Sequence, residues 1–177
     1  MKILVVVDMQ NDFVTGSLGT KEAEVIIPNV VKKIEEWDGY VFATQDTHNE
    51  DYLDTQEGEK LPVKHTIKGT EGWKIQKDVY EALELDFVEI FEKKTFGSID
   101  LALELVDCID EMEIDEVQLI GVCTDICIIS NALVIKAFLP EVKVVVDAAC
   151  CAGTTPESHK RALETMKVCQ VDIINED

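Results

Sequence analysis

The stretch VQLIGVCTDICIISNALVIKAFL, residues 117–139, begins as one kind of element and ends as another. Residues 117–120 form a short, mostly apolar run rich in branched side chains, which reads as a buried strand. Beyond Gly121, Thr124 and Asp125 are good helix N-caps, and apolar residues follow helical spacing over 125–139. A buried strand that runs straight into a helix is the unit of a parallel sheet, because strands pointing the same way need a crossover between them.

The unit recurs along the chain. Residues 3–7, 40–44, 87–91, 142–146 and 171–174 read as further buried strands, and 23–37, 75–83, 99–112 and 156–167 as helices. The expected fold class is therefore α/β: a three-layer, doubly wound, six-stranded parallel sheet with helices on both faces and right-handed crossovers. The length of 177 residues suits a single domain spanning 1–177. Segment 47–72 lacks clear periodicity and is long for a structureless loop, so it reads as functional rather than as a linker.

Composition excludes several partners. With 46% hydrophobic residues and only four prolines, the chain is ordered rather than disordered. A formal net charge of −20 repels phosphate backbones and anionic lipid, which argues against nucleic acid and membrane. Taken alone, that acidity says no more than solubility. MKILVVVD at the N-terminus is too short for a signal peptide or a membrane span, so a cytoplasmic location is expected. The cysteines at 108, 123, 127, 150, 151 and 169 match neither a secreted disulfide scaffold nor a zinc finger. Nothing in the sequence decides for or against a homo-oligomer.

In open parallel sheets the site lies outside the carboxyl ends of the strands. Asp8 follows the first strand, Asp46 and His48 the second, Lys93 and Lys94 the third, and Gly121-Val122-Cys123 the fourth. Taken one at a time these residues are bland: Asp8 a turn cap, the lysines a solvated pair, Cys127 a core cysteine. Acid, imidazole, amine and thiol converging on one sheet edge are not. At a helix start, backbone N–H groups and a nearby Lys93 would lower the Cys127 thiol pKa. Asp8 could then shuttle its proton, and the N–H groups of the turn could bind an oxyanion.

These residues resemble the isochorismatase-like cysteine hydrolases, and among them the nicotinamidases, over nearly the whole chain. VVDMQNDF (6–13) is similar to the family's opening motif and maps the catalytic aspartate to Asp8. EKKTFGS (92–98) maps the catalytic lysine to Lys93, three residues before the aromatic Phe96. GVCTDICI (121–128) resembles the nucleophile motif, with Cys127 as nucleophile and Cys123 in a place commonly held by a small residue. The resemblance implies a cis peptide between Val122 and Cys123, which aims the Cys123 N–H beside that of Cys127 into an oxyanion hole.

Asp46 and His48, spaced Asp-x-His, and His65 carry ligands suited to zinc, iron or manganese. On its own an Asp-x-His is a polar turn. With HTIKGTEGW (65–73), however, it resembles the nicotinamidase metal pattern, and Thr66 stands where many members have cysteine. The resemblance adds Glu57 as a further ligand, with Glu59 as its competitor. It implies a divalent metal ion, zinc first, that binds the pyridine nitrogen of a small heteroaromatic amide, with Phe13 and Trp73 as apolar walls. Trp73 as core filler is the alternative, and His159 is assigned no catalytic part. The implied activity is hydrolysis of nicotinamide to nicotinate and ammonia through a thioester. The alternatives are another amide or ureido hydrolase of the family, and a noncatalytic metal-binding or thiol-sensing module.

Overall fold

In a computed structural model, which describes residues 1–84, 88–111 and 113–176, the six apolar runs become six strands. They are β1 (Lys2–Val7), β2 (Tyr40–Asp46), β3 (Glu89–Lys93), β4 (Glu116–Val122), β5 (Lys143–Ala152) and β6 (Asp172–Ile174). All pair in parallel, in the order β3-β2-β1-β4-β5-β6. The helices are α1 (Asn11–Val14), α2 (Lys21–Glu35), α3 (Gln56–Lys60), α4 (Lys77–Leu83), α5 (Ile99–Glu111), α6 (Ile129–Phe138) and α7 (Pro156–Val168).

Alternation along β1 explains the three layers. Leu4 and Val6 pack with Ile26, Val30 and Ile34 of α2 and Val79 of α4. Ile3, Val5 and Val7 point the other way, into Leu101 and Leu105 of α5, Ile135 of α6 and Leu163 of α7. Each of the five β1 side chains is at most 1% exposed, and burying one contributes roughly 1.5–3 kcal/mol. A strand apolar on both faces is stable only in the middle of such a sandwich, which is where β1 lies.

Several boundaries differ from expectation. The third strand was expected to start at Phe87, and the third helix to reach Met112; both lie outside the described residues. β5 runs six residues past the expected end at 146, through Asp147 and the Cys150-Cys151 pair. A lone charge should end a buried strand, but Asp147 is paired with one cation and hydrogen-bonded by two amides. Lys33 Nζ lies 2.6 Å away, Gln118 Nε2 donates at 3.3 Å and Asn175 Nδ2 at 3.0 Å. The helix expected over 125–139 is in two parts, a π-helical turn, Thr124–Ile128, and then α6. The insert 47–72 holds a 3-10 turn, Tyr52–Asp54, and the short α3, with Tyr52 buried against the His48 and His65 rings. Among the described residues no helix is long and apolar enough to cross a membrane.

Candidate active site

Strand order reverses between β1 and β4, and a crevice opens beyond their carboxyl ends. Gly121 is required there. Its φ of 118° favours glycine, and a Cβ would run into the Val7 carbonyl oxygen of the neighbouring strand. The peptide between Val122 and Cys123 is cis, as the resemblance implied. Beyond it, the Cys123 carbonyl accepts from the Ile126 and Ile128 N–H groups, closing the turn that carries Cys127.

Four strand ends then deliver one connected group. Lys93 Nζ lies 2.7 Å from Asp8 Oδ2, 3.3 Å from Asp46 Oδ1 and 3.5 Å from Cys127 Sγ. Thr44 Oγ1 donates to Asp8 Oδ1 at 2.7 Å, and the Lys93 ammonium lies between Asp8 and the Cys127 thiol. Asp8 is wholly buried, Lys93 4% exposed and Cys127 5% exposed. Lys94, by contrast, is exposed at the rim.

Burial and the crowding of charge set the protonation pattern. Burial raises the Asp8 carboxyl, a shift that the Lys93 ammonium opposes. Burial alone would lower the Lys93 amine, yet the charges of Asp8 and then Asp46 outweigh it and hold the amine above its ordinary range. Cys127 departs from the sequence expectation. Burial first, and then the Asp8 charge, push its thiol well above the ordinary value, with Lys93 pulling the other way. The turn is π-helical and enclosed, so the thiol is desolvated rather than presented at an open helix end. Burial and the Asp8 charge thus favour the protonated thiol over a free thiolate.

The second cluster abuts the first through Asp46. Asp46, His48 and His65 are buried, with one ligand atom from each within 4.8 Å of the others. Asp46 Oδ2 lies 3.1 Å from His48 Nε2 and 3.7 Å from His65 Nε2. Glu57 Oε1, on α3, is 3.7 Å from both of those nitrogens. His65 Nδ1 faces the Val63 carbonyl at 2.8 Å; donating there leaves the Nε2 lone pair for an ion. Burial would raise the Asp46 carboxyl, but the adjacent His48 imidazole, the Lys93 charge and the Thr66 hydroxyl bring it to about 2. A buried carboxylate held ionised beside two imidazoles is a donor set that fits a divalent first-row cation.

Both clusters meet a cavity of about 600 Å³ lined by Phe13, Phe96, Ile126, Asp46, His65 and Cys127, among others. Cys123 also lines it, its thiol pushed up to about 12 by burial and the charges of Asp125 and Asp8. Trp73, expected as a wall, is not among the lining residues. Its indole N–H donates to Thr47 Oγ1 at 2.9 Å, and the Lys68 ammonium sits 5.9 Å from the ring centroid. Phe96 takes part in the lining instead, from the segment after Lys93.

A family model described as the isochorismatase domain matches residues 2–177. The chain belongs to the isochorismatase family. It is similar to the uncharacterized isochorismatase family protein PncA of Bacillus subtilis, with 32% identity over 180 residues that span 92% of each chain. A crystal structure of nicotinamidase/pyrazinamidase PncA from Bacillus subtilis has a TM-score of 0.80 at 29% identity, covering 97% of this chain and 98% of that one. The pyrazinamidase of Pyrococcus horikoshii in complex with zinc has a TM-score of 0.78 at 29% identity, covering 98% of both chains.

Within this isochorismatase-family site, three buried polar residues escaped the sequence reading. Gln10 clamps the backbone of Asp46, accepting from its N–H at 2.8 Å and donating to its carbonyl at 2.9 Å. Asn131 donates to the Cys127 carbonyl at 2.8 Å and accepts from the Ser98 N–H at 2.9 Å, tying the Cys127 turn to the segment after Lys93. Thr44 orients Asp8. A signal existed for Asn131 alone, as a polar residue four positions after Cys127 in an apolar helical run. His159, left without a catalytic part, pairs through Nδ1 with Thr124 Oγ1 at 2.7 Å.

Proposed function

We propose that this protein hydrolyses nicotinamide to nicotinate and ammonia through a thioester on Cys127. The observation that carries this reading is the buried Lys93 ammonium, 2.7 Å from Asp8 and 3.5 Å from Cys127, beside an Asp-His-His cluster on the same cavity. The family match and the nicotinamidase relatives support the reaction class, hydrolysis of an amide carbon–nitrogen bond.

Asp8 takes the thiol proton as the sulfur attacks the carboxamide carbon, so thiolate forms only as it is consumed. Lys93 keeps the buried negative charge balanced during that transfer. The N–H groups of Cys123 and Cys127 receive the developing oxyanion. The proton on Asp8 then passes to the amide nitrogen, ammonia leaves, and the thioester forms. Asp8 next takes a proton from water, which adds to the thioester carbon; nicotinate departs and the thiol is restored.

Asp46, His48, His65 and Glu57 would hold a divalent cation, with zinc the proposed ion. Such an ion supplies a Lewis-acid contact that fixes a heteroaromatic ring nitrogen. Phe13 and Phe96 offer the flat apolar contact for the ring. The test is ammonia release from nicotinamide by purified protein supplied with zinc. Cys127→Ala is expected to abolish turnover while retaining zinc. Wild-type protein that loads zinc and releases no ammonia would refute the proposal.

A further inference from the structure

Thr66 sits in a backbone conformation that its side chain disfavours. Its φ is 44°, in the left-handed region, where a β-branched residue is an outlier that persists only when its surroundings hold it. It is also completely buried. Its N–H donates to Asp12 Oδ2 at 2.8 Å, its carbonyl accepts from the His48 N–H at 3.0 Å, and its hydroxyl donates to Asp46 Oδ2 at 2.8 Å. Its neighbour in the chain is His65. Through two hydrogen bonds and one peptide bond, Thr66 thus reaches all three residues of the Asp46–His48–His65 cluster.

We propose that Thr66 is a positioning residue for that cluster, setting the rotation of the Asp46 carboxylate through its hydroxyl. Asp46 has two tasks, since Oδ1 faces Lys93 Nζ at 3.3 Å while Oδ2 faces the imidazoles. Rotation of the carboxylate would spoil both. His48 Nε2 lies 3.1 Å from Oδ2 without a hydrogen bond to it, so with or without an ion the imidazole does not hold the carboxylate by donation. The Thr66 hydroxyl donates in either state. Asp12 completes the device from outside: it fixes the Thr66 N–H, and its own N–H is bonded to the Gly72 carbonyl at 3.0 Å. The inference rests on the metal-site part of the proposed function and not on the identity of the amide.

The test is zinc affinity of the metal-free full chain, titrated against a competing chelator, for wild type, Thr66→Val, Thr66→Ser and Thr66→Cys. Valine keeps the shape and the β-branch but deletes the donor; its zinc affinity is expected to fall about 10–100-fold. Serine keeps the donor and is expected to restore near wild-type affinity. Cysteine, a weak donor, is expected to fall between them, and it keeps the ranking measurable should the valine variant not fold. The zinc concentration for half-maximal ammonia release should rise in proportion. A donorless variant that binds zinc as tightly as wild type overturns the proposal, and so does a serine variant as impaired as valine, which would reveal a packing role. Zinc binding is read without substrate. Loss of affinity in the valine variant of a protein inactive on nicotinamide would therefore overturn the substrate and leave the positioning role standing.

Discussion

Replacing Lys93 by methionine removes one ammonium that faces two buried carboxylates, and the structure indicates what this costs. At an effective dielectric of about 20, Coulomb attraction is roughly 6 kcal/mol to Asp8 at 2.7 Å and roughly 5 kcal/mol to Asp46 at 3.3 Å. Desolvation of the ions and repulsion between the carboxylates offset much of this. What is left when one partner of a buried pair is deleted is about 3–5 kcal/mol. For a chain of 177 residues that lowers Tm by roughly 6–20 °C. The assay is urea unfolding followed by circular dichroism at neutral pH, on Lys93→Met, Asp8→Asn and the double variant. The double variant is expected to be more stable than Lys93→Met alone, because it carries one uncompensated carboxylate instead of two. A Lys93→Met loss under about 1 kcal/mol, the size of a surface pair, would refute the reasoning. Strict additivity in the cycle would do the same.

Three further outcomes follow from single observations. Gly121→Ala forces a Cβ toward the Val7 carbonyl at a φ of 118°; overpacking and backbone strain together should cost roughly 2–5 kcal/mol in thermal unfolding, and a neutral change would mean that β1 and β4 can part there. Burial lowers the His159 pKa below its ordinary 6.5. The unfolded chain therefore takes the proton first: this contribution is intact above about pH 6.5 and is lost as pH falls through the folded value. His159→Gln should flatten the fall in Tm over that acidic window, and a parallel fall in both proteins would exclude the effect. Zinc at 100 times its Kd should stabilise the metal-free protein by about 2.7 kcal/mol in a melting assay. Asp46→Asn, which removes a carboxylate of the cluster, should respond less.

The site was legible in proportion to how much of its chemistry lay in residue type and how much in surroundings. Asp8, Asp46 and Lys93 stand at the ends of apolar runs and Cys127 in the first turn after the fourth, so a parallel-sheet reading carries them to one edge. Glu57 was harder to separate from Glu59 because both lie on an insert with no periodicity. α3 is what turns Glu57 toward His48 and His65. Trp73 was a wall only by resemblance, and its indole N–H instead donates to Thr47 Oγ1, a pairing that nothing local encodes. The Cys127 thiol was misjudged for the same reason. A helix start suggests a lowered pKa, but the degree of burial is a property of the packed whole.

Alternating apolar runs and helical periods determined, by themselves, the sheet, its parallel sense and the edge on which reactive groups gather, because burial of apolar faces is a local demand repeated six times. Only the tertiary structure decided which partners each buried polar group received: Lys33 for Asp147, Asn131 for the Cys127 turn, Thr66 for Asp46. A buried polar atom must be satisfied, but the residue that satisfies it can lie anywhere in the chain. That choice is made when the layers close and not before.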